Sequence, residues 1–126
     1  MSAGLIVANV INQREVETIR AAISLSDTIK QTIYLDEFIS KTKESRLQQI
    51  QNLIEDASCS HLVIKKLVRV GVPHQELIQA VKEENIDLVI MGTKGRTNLP
   101  GVLLGSTAEK MFRHCSVPLL RIRPNH

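Results

Sequence analysis

Aromatic side chains are almost absent from this chain of 126 residues: Tyr34, Phe38 and Phe112 are the only three. A groove that stacks single-stranded nucleic acid needs several exposed rings, so that class of function is disfavoured. Charge of one sign is also lacking. Sixteen basic residues against thirteen acidic ones leave +3, with Lys65-Lys66 beside Arg69 and the Lys94/Arg96 pair as the only local basic features. The first pair reads as a solvated face, and the mixed charge elsewhere argues against a nucleic-acid groove. The two cysteines, Cys59 and Cys115, show neither a CxxC nor a zinc-type spacing, and are expected to be buried and reduced. No apolar run approaches the ~20 residues of a membrane span. The first residues, Met1 to Val7, carry no basic start or cleavage pattern, so a cytoplasmic protein is expected.

What is present is an alternation of apolar runs and amphipathic stretches. Leu5 to Ile11 is a near-continuous apolar run, as in a strand buried on both faces. From Gln13 to Leu25, Val16, Ile19 and Ile23 recur at helical spacing. The polar, irregular stretch Ser26 to Asp36 reads as a loop. Between Glu37 and Ala57, Leu47, Ile50 and Ile54 form a stripe with Leu53 and Ala57 beside it. That predicts a long amphipathic helix with Lys43, Glu44, Arg46 and Glu55 mostly outward. Leu62 to Val70 is a second strand, its lysines placing it near a sheet edge. Pro73 suits the first residue of a helix that Leu77, Ile78 and Val81 carry to about Glu84. A third strand follows at Leu88 to Met91, and Ala108, Met111, Phe112 and Cys115 then recur at helical spacing. Pro118 to Pro124 is a final strand bounded by prolines. Crossovers of a dozen residues or more between strands require a parallel sheet, so the fold class is α/β, doubly wound.

One segment carries chemistry. After the apolar strand ending at Met91 come Gly92, Gly95 and Gly105, and then Ser106-Thr-Ala-Glu109 opens a helix. Glycines allow an anion to approach the main chain closely, and a helix N-terminus presents unpaired N–H groups and a positive dipole end. The combination is a phosphate cradle, to which Lys94 and Arg96 can add charge. Each position also has a simpler explanation. Ser106 and Glu109 fit a capping box, the glycines fit turns, and Lys94 and Arg96 fit solvated loop charges. His61, His74, His114 and His126 pair with no Ser, Cys or acid in a catalytic pattern. His114, at a helix C-terminus, complements the dipole. Neither a metal site nor a general acid/base pair is evident.

The spacing Gly92-x2-Gly95-x9-Gly105-Ser106 resembles the nucleotide-binding pattern of the universal stress proteins, in their UspA-like, ATP-binding subgroup. The flanking text matches too: Val89 to Arg96, Leu104 to Lys110, Val117 to Ile122, Val70 to Leu77, and Asn9 to Val16. The correspondence runs from about residue 5 to 123. It implies a Rossmann-like fold, adenine nucleotide alpha hydrolase-like, with ATP or AMP as ligand and Mg²⁺ or Mn²⁺ bridging the phosphates. By resemblance, the backbone near Val10 contacts adenine, while Gly92, Gly95 and the loop with Lys94 and Arg96 line the ribose and phosphates. Gly105, Ser106 and Thr107 would then hold the terminal phosphates. A homodimer through the last strand, Pro118 to Arg123, is the implied assembly. With no base in view, at most slow ATP hydrolysis is expected.

The family pattern starts one strand and one helix earlier, roughly 30–40 residues, and its first strand brings an aspartate to the nucleotide. No residue here matches that unit, so the chain is expected to be a single domain N-terminally truncated by one β-α unit. In the family's strand order, 3-2-1-4-5, the unmatched strand would lie between those of Leu5 and Leu88, leaving a gap of ~9.6 Å. Direct closure into a four-stranded sheet is expected, together with an uncovered apolar sheet face that favours self-association. Two other functions therefore stay open: an interaction or dimerisation module that no longer binds nucleotide, and an α/β enzyme acting on another phosphorylated substrate.

Overall fold

The computed structural model describes residues 4–23, 28–62, 64–92 and 106–122. The elements, in chain order, are β1 (Leu5–Asn12), α1 (Gln13–Ala22), α2 (Thr28–Asp56), β2 (Ile64–Gly71), α3 (Pro73–Glu83), β3 (Val89–Gly92), α4 (Ser106–His114) and β4 (Leu119–Ile122). The chain divides into two compact units, residues 1–72 and 73–126.

In the first unit β1 and β2 pair in parallel, with Leu5 opposite Ile64 and Asn12 opposite Gly71. Parallel pairing follows from the connection, since α1 and α2 return the chain to the starting end of the sheet. Asn12 makes the turn between β1 and α1 abrupt. It ends the strand in extended geometry, and its side-chain oxygen accepts from the Arg14 N–H at 3.0 Å, which caps the helix. Ile11, Val16 from α1 and Leu35 from α2 form the core, with Ile19, Ile23, Phe38, Ile39, Val68 and Val70 packed around them.

α2 begins at Thr28, inside the stretch expected to be a loop. Its exposed first turns explain the difference. Ile29, Ile33 and Tyr34 are all exposed, so no burial stripe marks this part of the helix, and burial starts only at Leu35. No glycine or proline occurs between Ser26 and Asp56 to stop it. The stripe is also narrower than its spacing predicts: Ile50 and Ile54 are buried, whereas Leu47 and Leu53 are exposed. Nor is β1 buried on both faces. Ile11 is fully buried, but Leu5 and Ala8 are exposed and Ile6, Val7 and Val10 half-buried.

In the second unit β3 and β4 pair in parallel, Val89 opposite Leu119 and Gly92 opposite Ile122. The ladder continues one step beyond the strands, through the Val89 N–H to the Pro118 carbonyl at 3.0 Å. Ala80 and Val81 of α3 and Ala108 and Met111 of α4 are buried, and the two helices pack together. Pro73 is the first residue of α3, where its missing N–H costs nothing. Phe112, expected in the buried stripe of α4, is exposed and lies against Arg121, whose guanidinium stands 5.7 Å from the ring centroid.

Among the described residues β1 pairs with β2 and β3 with β4, in two two-stranded parallel sheets rather than the expected four-stranded one. The expected apolar face is present. Ile90, Leu120 and Ile122, cross-strand neighbours on one side of the β3–β4 sheet, are each just over half exposed. The cysteines are free but half-buried rather than buried.

Both α2 and α3 stop at a residue in left-handed geometry, Ser58 (φ 55) and Asn85 (φ 52). After each, a backbone N–H reaches back five residues: Cys59 to the Ile54 carbonyl at 3.1 Å, and Ile86 to the Val81 carbonyl at 3.0 Å. Asparagine tolerates this geometry, and serine does so less readily. Ser58→Gly is therefore expected to raise stability by about 0.5–1 kcal/mol, read as a higher urea midpoint at unchanged slope. Lowered stability would show that Ser58 contributes a contact greater than its backbone strain.

Candidate functional site

The phosphate cradle expected from the sequence falls on β3, α4 and the segment between them. β3 ends at Gly92, which is exposed. A side chain built on Gly92 would meet nothing within 4 Å, so close packing does not require glycine there. What its absent side chain leaves is open space at the carboxyl end of the strand. Ser106 and Thr107 are the first two residues of α4, exposed and half-buried respectively. Because α4 carries the chain back to a strand parallel to β3, its N-terminus faces the carboxyl end of the sheet. A helix of nine residues presents its first N–H groups there, together with the positive end of its dipole. Lys94, Gly95, Arg96 and Gly105 lie outside the described residues.

Ser106 is the first helical residue of α4, and the Glu109 carboxylate receives the Arg113 guanidinium at 2.9 Å, one turn toward the C-terminus. The charges of α4 follow its dipole, with Glu109 in the first turn and Arg113 in the last.

Val10 belongs to the other unit. It sits near the carboxyl end of β1, half-buried and paired in register with Arg69. Gly92, Ser106 and Thr107 are thus brought into one compact unit, while the candidate adenine contact is held in the other.

The sequence reading missed a polar cluster beside Val10. Arg46 of α2, expected to point outward, instead turns onto β1, where its Nη1 donates to Asn9 Oδ1 at 2.7 Å. Its Nη2 lies 3.6 Å from the Glu15 carboxylate of α1, and its side chain is only 12% exposed. Three elements meet at this guanidinium, which fixes the exit of β1 next to Val10. A signal did exist: Asn9 interrupts the apolar run of Leu5 to Ile11, and a polar side chain inside a strand needs a partner. No cluster of three or more metal-ligating side chains occurs among the described residues, and no described helix is long and apolar enough to cross a membrane.

Parallel strands joined by helices, with a glycine at a strand end and a helix N-terminus to follow, define a protein of the doubly wound α/β class. Within that class, the profile of the Universal stress protein family matches residues 2–123, and the chain belongs to this family. It is 26% identical over 125 residues to universal stress protein MJ0577 of Methanocaldococcus jannaschii, an alignment covering 94% of this chain and 76% of the relative. With the universal stress protein YxiE of Bacillus subtilis it shares 26% identity over 90 residues, 71% of this chain and 61% of YxiE. The solved structure of MJ0577 superposes with a TM-score of 0.80 at 25% identity, covering all of this chain and 79% of that one. UspA from Lactobacillus plantarum superposes at a TM-score of 0.64 and 22% identity, over 96% of this chain and 78% of that one, which supports the fold.

Proposed function

We propose that this universal stress protein binds an adenine nucleotide, ATP or AMP, and acts as a regulatory protein of the stress response. The observation that carries the reading is the spacing Gly92-x2-Gly95-x9-Gly105-Ser106, set between the open end of β3 and the first turn of α4. In this reading the terminal phosphates rest on the backbone at Gly105, Ser106 and Thr107, where the helix N-terminus favours negative charge. Gly92 and Gly95 leave the main chain open to the ribose and phosphates, and Lys94 and Arg96 supply mobile and bidentate positive charge. Val10 offers backbone groups to the adenine. A divalent ion, Mg²⁺ or Mn²⁺, would be held mainly by the phosphates. The proposal includes no dedicated ATPase activity, since no general base has been identified among these residues.

Thermal denaturation with and without ATP and Mg²⁺ tests the proposal. ATP at about 100 times its Kd is expected to stabilise the protein by about 2.7 kcal/mol. Gly105→Val should lose that gain. Gly92→Val should lose it as well while keeping its ligand-free melting temperature, because a side chain there has open space. An equal ATP-dependent shift in the parent and both variants would rule out the cradle.

A second reading draws on the exposed apolar face of Ile90, Leu120 and Ile122: an interaction module that pairs through the last strand, Pro118 to Arg123, as a homodimer. It predicts no ATP-dependent shift in any of the three proteins, but a concentration-dependent melting temperature.

A further inference from the structure

The second unit contains a cleft of about 500 Å³ lined by His74, Gln75, Ile78, Gln79, Lys82 and His114. We propose that this cleft is a binding site for a small organic carboxylate with an apolar body. The cleft lies at the opposite end of α4 from Ser106 and Thr107. His114 is the last residue of α4 and Ser106 the first, so about 12 Å of helix separates them.

The chemistry follows from the lining. His74, Ile78 and Lys82 are four residues apart along α3 and share one face of it. Ile78 supplies an apolar floor, which the methylene stems of Gln75, Gln79 and Lys82 extend. Helical side chains lean toward the N-terminus, so the Lys82 ammonium stands over the turn that carries Ile78. None of the described residues that line the cleft is a carboxylate. Two acids of the lining helices are engaged within their own helix: Glu83 accepts from Gln79 at 2.8 Å, and Glu109 from Arg113 at 2.9 Å. The cleft therefore offers the Lys82 ammonium, two imidazoles and the Gln75 amide as polar groups, with the Gln79 amide turned to Glu83, and an apolar surface between them. A single ammonium matches a carboxylate monoanion, whereas a phosphate dianion would leave a charge uncompensated in a partly apolar site. A divalent metal ion would find two imidazoles but also the repulsion of Lys82. The volume lies within the range of about 300–1,000 Å³ typical of small-molecule sites.

Titration of the ¹⁵N-labelled full chain with phenylacetate, followed by NMR, tests the proposal. Amide shifts are expected at residues 74–82 and around 114, and not at Ser106 or Thr107. The uncharged amide of the same acid, phenylacetamide, should bind at least about tenfold more weakly, the loss expected when a charge-assisted hydrogen bond is removed. Lys82 is exposed, so Lys82→Met should keep the fold and lose about the same factor. Ile78→Glu, which places a carboxylate in the floor, should abolish the shifts. Equal binding of phenylacetate and phenylacetamide would overturn the proposal, as would unchanged affinity in Lys82→Met. A response of the His74 and His114 resonances to Zn²⁺, with none to phenylacetate, would also overturn it in favour of a metal site.

Discussion

Met111→Ala is expected to destabilise the unit of residues 73–126 by about 3 kcal/mol, within the usual range for removing a buried methionine side chain. Phe112→Ala, one residue further on, should cost less than about 1 kcal/mol. The larger side chain thus gives the smaller effect. Met111 is 0% exposed and Phe112 64% exposed. Truncating Met111 leaves a cavity that a close-packed interior fills only in part. Truncating Phe112 removes a ring already facing water, along with its contact to the exposed Arg121. Urea unfolding of both variants, with amide exchange of α3 and α4 as a local readout, measures the difference. If Phe112→Ala proved the more damaging, its ring would have to be covered in solution, and a partner on that surface would be indicated.

Arg46→Ala is expected to cost about 2 kcal/mol in the unit of residues 1–72. The loss arises mainly from Asn9, whose carbonyl oxygen accepts a short charge-assisted hydrogen bond of 2.7 Å; such bonds contribute about 1.5–3 kcal/mol. The ion pair with Glu15 is longer, 3.6 Å, and the Glu15 side chain is 34% exposed. Solvent screening reduces that part to less than about 1 kcal/mol. Double-mutant cycles separate the two. The Arg46–Asn9 coupling should exceed the Arg46–Glu15 coupling, and raising the salt concentration should weaken only the second. Equal couplings would mean that charge pairing, rather than the hydrogen bond to β1, anchors α2.

The ends of the elements were legible wherever a residue carries a strong local preference. Pro73 marks the start of α3, and the apolar runs announce all four strands, because burying such runs in extended form is what a parallel sheet does. The start of α2 was not legible. Ile29, Ile33 and Tyr34 are apolar yet exposed, so periodicity could not locate a face that the structure leaves open. Likewise Leu47, Leu53 and Phe112 satisfy helical spacing but miss the buried arc, whose width depends on what packs opposite. Of the candidate site, the sequence alone placed Gly92 at a strand end and Ser106 at a helix start. It could not place Arg46, because a guanidinium drawn inward by Asn9 and Glu15 looks the same in sequence as one facing water.

The sequence by itself determined the class of this protein, its family and its phosphate-type motif. These rest on short-range information: apolar runs, crossover lengths, and glycines at set intervals before a helix start. Only the tertiary structure decided how the described strands associate, β1 with β2 and β3 with β4 in parallel. It also decided which apolar residues are covered, and that the candidate adenine and phosphate contacts reside in different compact units. Strand pairing and burial depend on partners distant in sequence. Each ladder forms only where the backbone groups of a neighbouring strand, and the helices packed upon it, are in place to satisfy it.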